Sequence, residues 1–199
     1  EIANKIKNCD TKLLFLSTRK VYKPSKNLKE NSRLNPKCNY SKNSLITENK
    51  LLYILGKKVI ILRISNIIGY NKSVSNFKTY AHIFFHNIKK NILFKNPNNS
   101  FKDFLSLEMF SKIIYLILKK DNLFGVFNVS IGRKILLNDI NNWLNFYNKN
   151  KYKNIKVKTK SKSDSFYLCN KKLLNKIKIK IELGKLRKDS LRISRTFFR

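Results

Sequence analysis

Ser17-Thr18 closes a short apolar run, and Tyr40 opens a helical pattern after a polar loop. A hydroxyl at a strand end can hydrogen-bond a substrate oxygen, and a nearby tyrosine can transfer a proton. Each residue also has a plainer local reading. Thr18 suits a cap or turn, Tyr40 suits a helix-start anchor, and Asn128 before a turn suits a residue that bonds its own backbone. His82 and His86 stand four apart, a spacing able to hold a metal. No Cys, Asp or Glu joins them at suitable spacing, so they read as a surface pair. Cys9, Cys38 and Cys169 are odd in number and scattered, which fits neither a disulfide framework nor a metal knuckle. Trp143, Phe146 and Tyr147 read as core.

The elements that must position these groups follow from hydrophobic patterning. Lys12 to Ser17 is a continuous apolar run, the mark of a strand buried on both faces in a parallel sheet. Thr18 to Asn39, with Pro24 and Pro36, reads as a loop. Tyr40 to Leu55 has helical spacing and Gly56 to stop it. Val59 to Ile64 is a second buried strand, so the three segments predict a right-handed βαβ unit. Further on, the pattern predicts helices over Asn76 to Lys90, Leu107 to Leu118, Leu137 to Tyr147 and Leu183 to Ile193. It predicts strands over Asn91 to Phe94 and Val126 to Val129, the latter ending in a turn at Gly132. Ile155 to Thr159 alternates with lysine and reads as an edge strand within a solvated stretch, Asn148 to Lys162. In an α/β fold the loops at the carboxyl ends of such strands carry the site.

Composition narrows the function classes. The chain has 199 residues, enough for one ordinary domain or one and a half small ones, and 42% hydrophobic residues, enough for a core. It carries 44 Lys+Arg against 11 Asp+Glu, a net +33, which attracts anions such as nucleic acid, nucleotides or anionic lipid. The excess is mostly lysine and comes with many Asn and Ile, so a bias toward AT-rich codons is a simpler account of it than a ligand. There is no apolar run long enough to span a membrane and no secretory h-region at Glu1 to Lys5, so a cytoplasmic location is the expectation. Residue 1 is Glu and the only methionine is Met109, so a fragment or processed product is expected.

Six segments in order resemble one family. Ser17-Thr18-Arg19-Lys20-Val21-Tyr22 is similar to the Ser-Ser-x-x-Val-Tyr-Gly strand end of the NAD-dependent epimerase/dehydratase family, the extended short-chain dehydrogenases/reductases. Glu30 to Pro36 resembles the acidic-Pro loop before the family's catalytic tyrosine. Tyr40 with Glu48 resembles the Tyr-x-x-x-Lys-x-x-x-Glu helix, and Leu62 to Gly69 the Leu-Arg-x-x-Asn-x-Tyr-Gly strand end. Lys102-Asp103-Phe104 resembles Arg-Asp-Phe, and Gly125 to Gly132 resembles Gly-x-x-Asn-x-Gly-x-Gly.

The resemblance implies an α/β fold: a partial Rossmann-like doubly wound parallel sheet with a small α+β substrate-binding lobe. Residues 1–75 would be the back half of the NAD(P)-binding domain, and 76–199 the lobe, with sheet elements returning at about 100–132. It assigns Thr18 to the substrate hydroxyl, Tyr40 to acid/base work, Ser65 to the nicotinamide side, Asn66 to the sugar and Lys102 to the diphosphate. NAD or NADP is the implied cofactor and a nucleotide sugar the implied substrate. A homodimer through helix 40–55 and an N-terminal nucleotide-binding half are the implied partners.

Two departures stand against full activity. None of the five glycines forms a Gly-rich phosphate-binding turn. Ser44 stands where the family has lysine, four residues after the tyrosine on the same helix face, and Lys42 points elsewhere. The sequence therefore predicts an epimerase/dehydratase-like protein with impaired or no activity on its own. The alternatives are a non-catalytic remnant or subunit, and a basic nucleic-acid-binding protein. The last is disfavoured, because lysines are spread along the chain and no nucleic-acid motif occurs.

Overall fold

β1 (Leu13–Thr18) and β2 (Val59–Ile64) run parallel, joined through α2 (Asn39–Leu55), and α1 (Ile2–Ile6) precedes them. The computed structural model describes residues 1–70, 79–90, 95–97, 100–149, 155–157 and 164–199, and only the backbone of 95–97 and 155–157. After β2 come β3 (Asn66–Ile68), α3 (Tyr80–Lys89), β4 (Lys95–Pro97), β5 (Phe101–Lys102), β6 (Phe104–Ser106) and α4 (Leu107–Leu118). They are followed by β7 (Gly125–Val129), β8 (Ile135–Leu136), α5 (Leu137–Leu144), β9 (Ile155–Val157), α6 (Lys171–Ile177) and α7 (Leu183–Phe198).

The central sheet has the order β1-β2-β7, parallel throughout, with Ser17 opposite Arg63 and Arg63 opposite Asn128. Three further two-stranded pairs occur among the described residues: β3 with β6, β4 with β9, and β5 with β8. β2 is the middle strand, and its side chains alternate between two cores. Val59 and Ile61 pack with Ala3, Leu51 and Leu55 under α1 and α2. Ile60 and Leu62 face the larger core, with Phe127, Val129 and residues of α3 to α7. Helices on both faces of a parallel sheet make the arrangement Rossmann-like, and burial on both faces is why β2 carries an uninterrupted Val-Ile-Ile-Leu run. Each such side chain contributes about 1.5–3 kcal/mol when fully buried.

Capping sets several boundaries. Ser106 accepts from the Met109 N–H and starts α4, whose Met109, Ile113 and Ile117 enter the core. Thr79 caps α3 in the same way through the His82 N–H. Gly132 has φ +81°, and an added Cβ would stand 2.6 Å from Asn170 Oδ1, so this turn requires glycine on both counts.

Other expectations need correction. The predicted 137–147 helix stops at Leu144, with Asn145 as its C-cap. Trp143 packs against the core, but Phe146 is 64% exposed and Tyr147 is exposed too, because both follow the last helical turn. The predicted last helix runs further, to Phe198, because Phe197 stacks on Phe85 of α3 with ring centroids 4.0 Å apart. Short α1 and α6 and the short strands β3, β4, β5, β6 and β8 had no clear signal in the pattern, whereas β9 falls within the predicted 155–159 strand. The strand expected over 91–94 lies outside the described residues, as do the start of the 76–90 helix and the end of the 155–159 strand.

Candidate functional site

Thr18 and Ser65 lie at the carboxyl ends of the adjacent strands β1 and β2. α2 returns antiparallel to those strands, so its second residue, Tyr40, stands at the same edge of the sheet. The three groups differ in what they have free. Thr18 Oγ1 accepts a 3.2 Å hydrogen bond from the Lys20 N–H and caps the 3-10 turn at Arg19–Val21, which is the plainer role the sequence allowed it. Tyr40 is 60% exposed. Ser65 donates its N–H to the Val129 carbonyl at 3.0 Å, while its buried Oγ has no hydrogen-bond partner among the described residues. Unpaired buried hydroxyls are uncommon and mark a place where a further polar group fits.

Asn66 and Lys102 are engaged within the protein. Asn66 Nδ2 donates to the Asp103 carbonyl at 3.0 Å. Lys102 Nζ lies 3.7 Å from the Asp164 carboxylate. Burial holds the Lys102 ammonium below its usual range, opposed by Asp164 and reinforced by Arg19 and Lys20.

Ser44 lies one turn beyond Tyr40 on α2. It is buried, and its Oγ donates 2.8 Å to the Tyr40 carbonyl. The hydroxyl thus bonds the preceding turn of its own helix, and this position puts no cation beside the phenol.

Beneath this edge runs a buried polar network that sequence reasoning did not anticipate. Glu48 is fully buried and accepts from Ser17 Oγ, from Arg63 Nε at 3.0 Å and from Arg63 Nη2 at 2.6 Å. Arg63 Nη1 donates to the Tyr22 hydroxyl and to the Glu30 carbonyl, both at 3.0 Å. Tyr22 in turn donates to Asn128 Oδ1 at 2.8 Å. Asn128 Nδ2 donates to the carbonyls of Leu28 and Cys169, and the Asn128 N–H donates to the Glu30 carboxylate. Asn128 therefore sits in a strand and ties two distant loops to the sheet, which corrects the expectation of a local turn residue. Burial is the largest single influence on Arg63 and would lower its pKa, but the hydrogen bonds and charge interactions of Glu48 and Tyr22 together outweigh it and the net shift is upward. Burial raises the Tyr22 phenol, so it stays a neutral donor.

A second cluster flanks the edge. Arg19 grips Asp164 through two hydrogen bonds of 3.0 and 2.6 Å and lies 3.8 Å over the Phe166 ring. A cleft of about 200 Å³ opens beside it, lined by Arg19, Lys20, Tyr22, Lys37, Cys38 and Asp164 among others. Asp103 is completely buried and accepts from the N–H groups of Ile131 and Leu168. Burial pushes its carboxyl up to about 7, against the lowering effect of those N–H groups. His82 Nδ1 is 2.6 Å from Thr79 Oγ1, and its ring packs on Tyr70. Asp164 and Arg19 could have been found only through their long-range pairing, for which a single sequence carries no signal.

With this geometry in hand, the chain can be set beside known proteins. No family model matches the sequence, and no curated protein matches it. Solved structures do. The UDP-N-acetylglucosamine 4-epimerase from Methanobrevibacter ruminantium M1, in complex with UDP-N-acetylmuramic acid, is similar with a TM-score of 0.78 and 19% identity, over 96% of this chain and 64% of that one. The Bordetella bronchiseptica enzyme WbmG in complex with NAD is similar with a TM-score of 0.76 and 19% identity, over 99% of this chain and 62% of that one. The dTDP-glucose 4,6-dehydratase from Bacillus anthracis in complex with NAD follows with a TM-score of 0.74 and 14% identity, over 98% and 64%. The chain thus has the fold of this part of those enzymes and spans less than two thirds of their length.

Proposed function

We propose that this chain is the substrate side of an NAD(P)-dependent nucleotide-sugar epimerase- or dehydratase-like protein, with little or no turnover on its own. The observation that carries the reading is the network of Ser17, Tyr22, Glu30, Glu48, Arg63 and Asn128. It joins segments that resemble the family at separate places in the sequence. Likeness to nucleotide-sugar enzymes across nearly the whole chain supports it further.

In this reading Thr18 meets a sugar hydroxyl, Tyr40 moves a proton at a sugar oxygen, Asn66 lies toward the sugar and Lys102 toward the diphosphate. Asp164 would have to share Lys102 with the substrate. Residues 1–75 would form the back half of the nucleotide-binding domain and 76–199 the substrate lobe. NAD or NADP would supply hydride chemistry when held. The residues here fit it at one point, the unpartnered Ser65 hydroxyl. They fail at two: Ser44 provides no cation, and none of the five glycines builds a phosphate-binding turn. They do not complete a nicotinamide site, and a second nucleotide-binding unit would be required. α2 also presents Ile46 and Tyr53 outward on one side, with Tyr53 92% exposed, which supports pairing of two copies along this helix.

Calorimetric titration with UDP-N-acetylglucosamine and with NAD⁺ tests the reading, together with an NMR assay of epimerisation. The expected result is weak sugar-nucleotide binding, no NAD⁺ binding up to about 1 mM and no turnover. Binding of NAD⁺ near 10 µM, or turnover by the chain alone, would overturn it. Absence of sugar-nucleotide binding as well would favour the non-catalytic remnant, which the committed Ser44 hydroxyl also supports.

A further inference from the structure

Arginine is distributed differently from lysine in this chain. Only eight of the 44 basic residues are arginine, and four of them, Arg187, Arg192, Arg195 and Arg199, fall in the last thirteen positions. A codon bias that spreads lysine along the chain does not explain that clustering. In the structure all four lie in or at the end of α7, and all are exposed.

The helix geometry sorts them. At 3.6 residues per turn, Lys188, Arg192, Arg195 and Arg199 fall within about 60° of one another and span roughly 16 Å along the axis. The opposite side is committed to the protein: Leu186, Ser190 and Ser194 are buried, and Phe197 and Phe198 pack against the core. The only acid in α7 is Asp189, which is buried, accepts from Ser106 Oγ and pairs on its other oxygen with Lys185 at 3.0 Å and Arg192 at 3.8 Å. Glu108 offsets part of the charge by pairing with Lys185 at 3.1 Å and Arg192 at 2.7 Å. Lys188, Arg195 and Arg199 make no ion pair among the described residues.

We infer that this stripe docks the phosphate backbone of a nucleic acid. Arginine forks match phosphate oxygens bidentately, and a row of exposed cations one to two turns apart suits a row of phosphates. A membrane surface fits less well, since the apolar face of α7 lies in the core and none is left to enter lipid. The binding has no base-reading element and is sequence-independent. It stands apart from the sugar-nucleotide reading and does not depend on it.

Fluorescence anisotropy on a dye-labelled 20-base-pair DNA duplex, from 50 to 300 mM salt, tests the inference. Lys188→Gln, Arg195→Gln and Arg199→Gln combined are compared with a control triple at exposed lysines elsewhere, Lys29→Gln, Lys42→Gln and Lys50→Gln. The stripe triple is expected to lose at least tenfold in affinity and to reduce the log–log salt slope by about 2 to 3. The control triple should lose less than about threefold. Should the stripe triple melt early, Arg195→Gln alone gives the reading, with the slope falling by about one. Equal loss in both triples would reduce the effect to bulk charge and overturn the inference. So would absence of duplex binding at 50 mM salt. Loss of binding to vesicles of 30% phosphatidylserine in phosphatidylcholine, with duplex binding intact, would overturn it in favour of a membrane surface.

Discussion

Glu48 of α2 and Arg63 of β2 form a buried ion pair, with Arg63 Nη2 2.6 Å from Glu48 Oε2 and both side chains almost wholly out of water. The pair clamps the helix that carries Tyr40 onto the strand that leads to Ser65. Ser17 Oγ adds a third donor to the same carboxylate, so α2, β1 and β2 meet at one group. A charge pair in the interior is stable only when its remaining donors and acceptors are satisfied, and here Tyr22 and the Glu30 carbonyl complete the guanidinium.

Removing one partner leaves the other charge buried and unpaired. Glu48→Gln is expected to cost about 3–5 kcal/mol of folding stability. Ser17→Ala, which takes away a single donor, should cost about 1 kcal/mol. Urea unfolding followed by circular dichroism measures both, and equal small losses would show that the pair does not hold the fold.

Asn128→Ala removes acceptor and donor together. It strands the Tyr22 hydroxyl and the carbonyls of Leu28 and Cys169. A loss of about 2–4 kcal/mol is expected, with faster amide exchange around Leu28 and Cys169. Exchange confined to β7 would show that Asn128 acts locally after all.

Ser44 separates structure from chemistry. Ser44→Ala should leave stability within about 1 kcal/mol, since the hydroxyl only bonds its own helix. With a nucleotide-binding half supplied, Ser44→Lys is expected to raise turnover tenfold or more by favouring the Tyr40 phenolate. Unchanged turnover, where Tyr40→Phe abolishes it, would refute that role for the cation.

Asp103 makes stability depend on pH. Its folded carboxyl is pushed up to about 7 by burial, well above the unfolded value of 3.8, so the native state holds this proton longer. Its contribution is fully present below about 4 and is lost as pH rises through about 7. Between those limits, stability attributable to this group falls with pH, then levels off. Unfolding free energies from pH 4 to 8 should show this decline in the wild type and a flatter profile in Asp103→Asn. Parallel profiles would assign the slope to other groups.

Much of the frame was legible from single residues and their neighbours. Val59 to Ile64 and Leu107 to Leu118 match their elements residue for residue, because apolar runs and helical spacing are local signals. The site was legible only as positions. Thr18, Tyr40 and Ser65 do share the carboxyl edge, since strand order alone puts them there. Their free and committed atoms were not legible: the Thr18 hydroxyl caps a turn, the Ser44 hydroxyl bonds Tyr40, and Lys102 faces Asp164. Phe146 looked like core because hydrophobicity alone does not say where a helix stops.

The sequence by itself determined the α/β class, the central strands and the principal helices, which arise from burial periodicity over a few residues. Only the tertiary structure decided that Glu48 finds Arg63, that Asn128 joins Leu28 to Cys169, and that Arg19 finds Asp164. Those contacts bridge residues from 15 to 145 positions apart, and their energy exists only once the sheet has closed and excluded water. The same closure buries one side of α7 and leaves Lys188, Arg192, Arg195 and Arg199 aligned on the other, an order that the linear chain does not display.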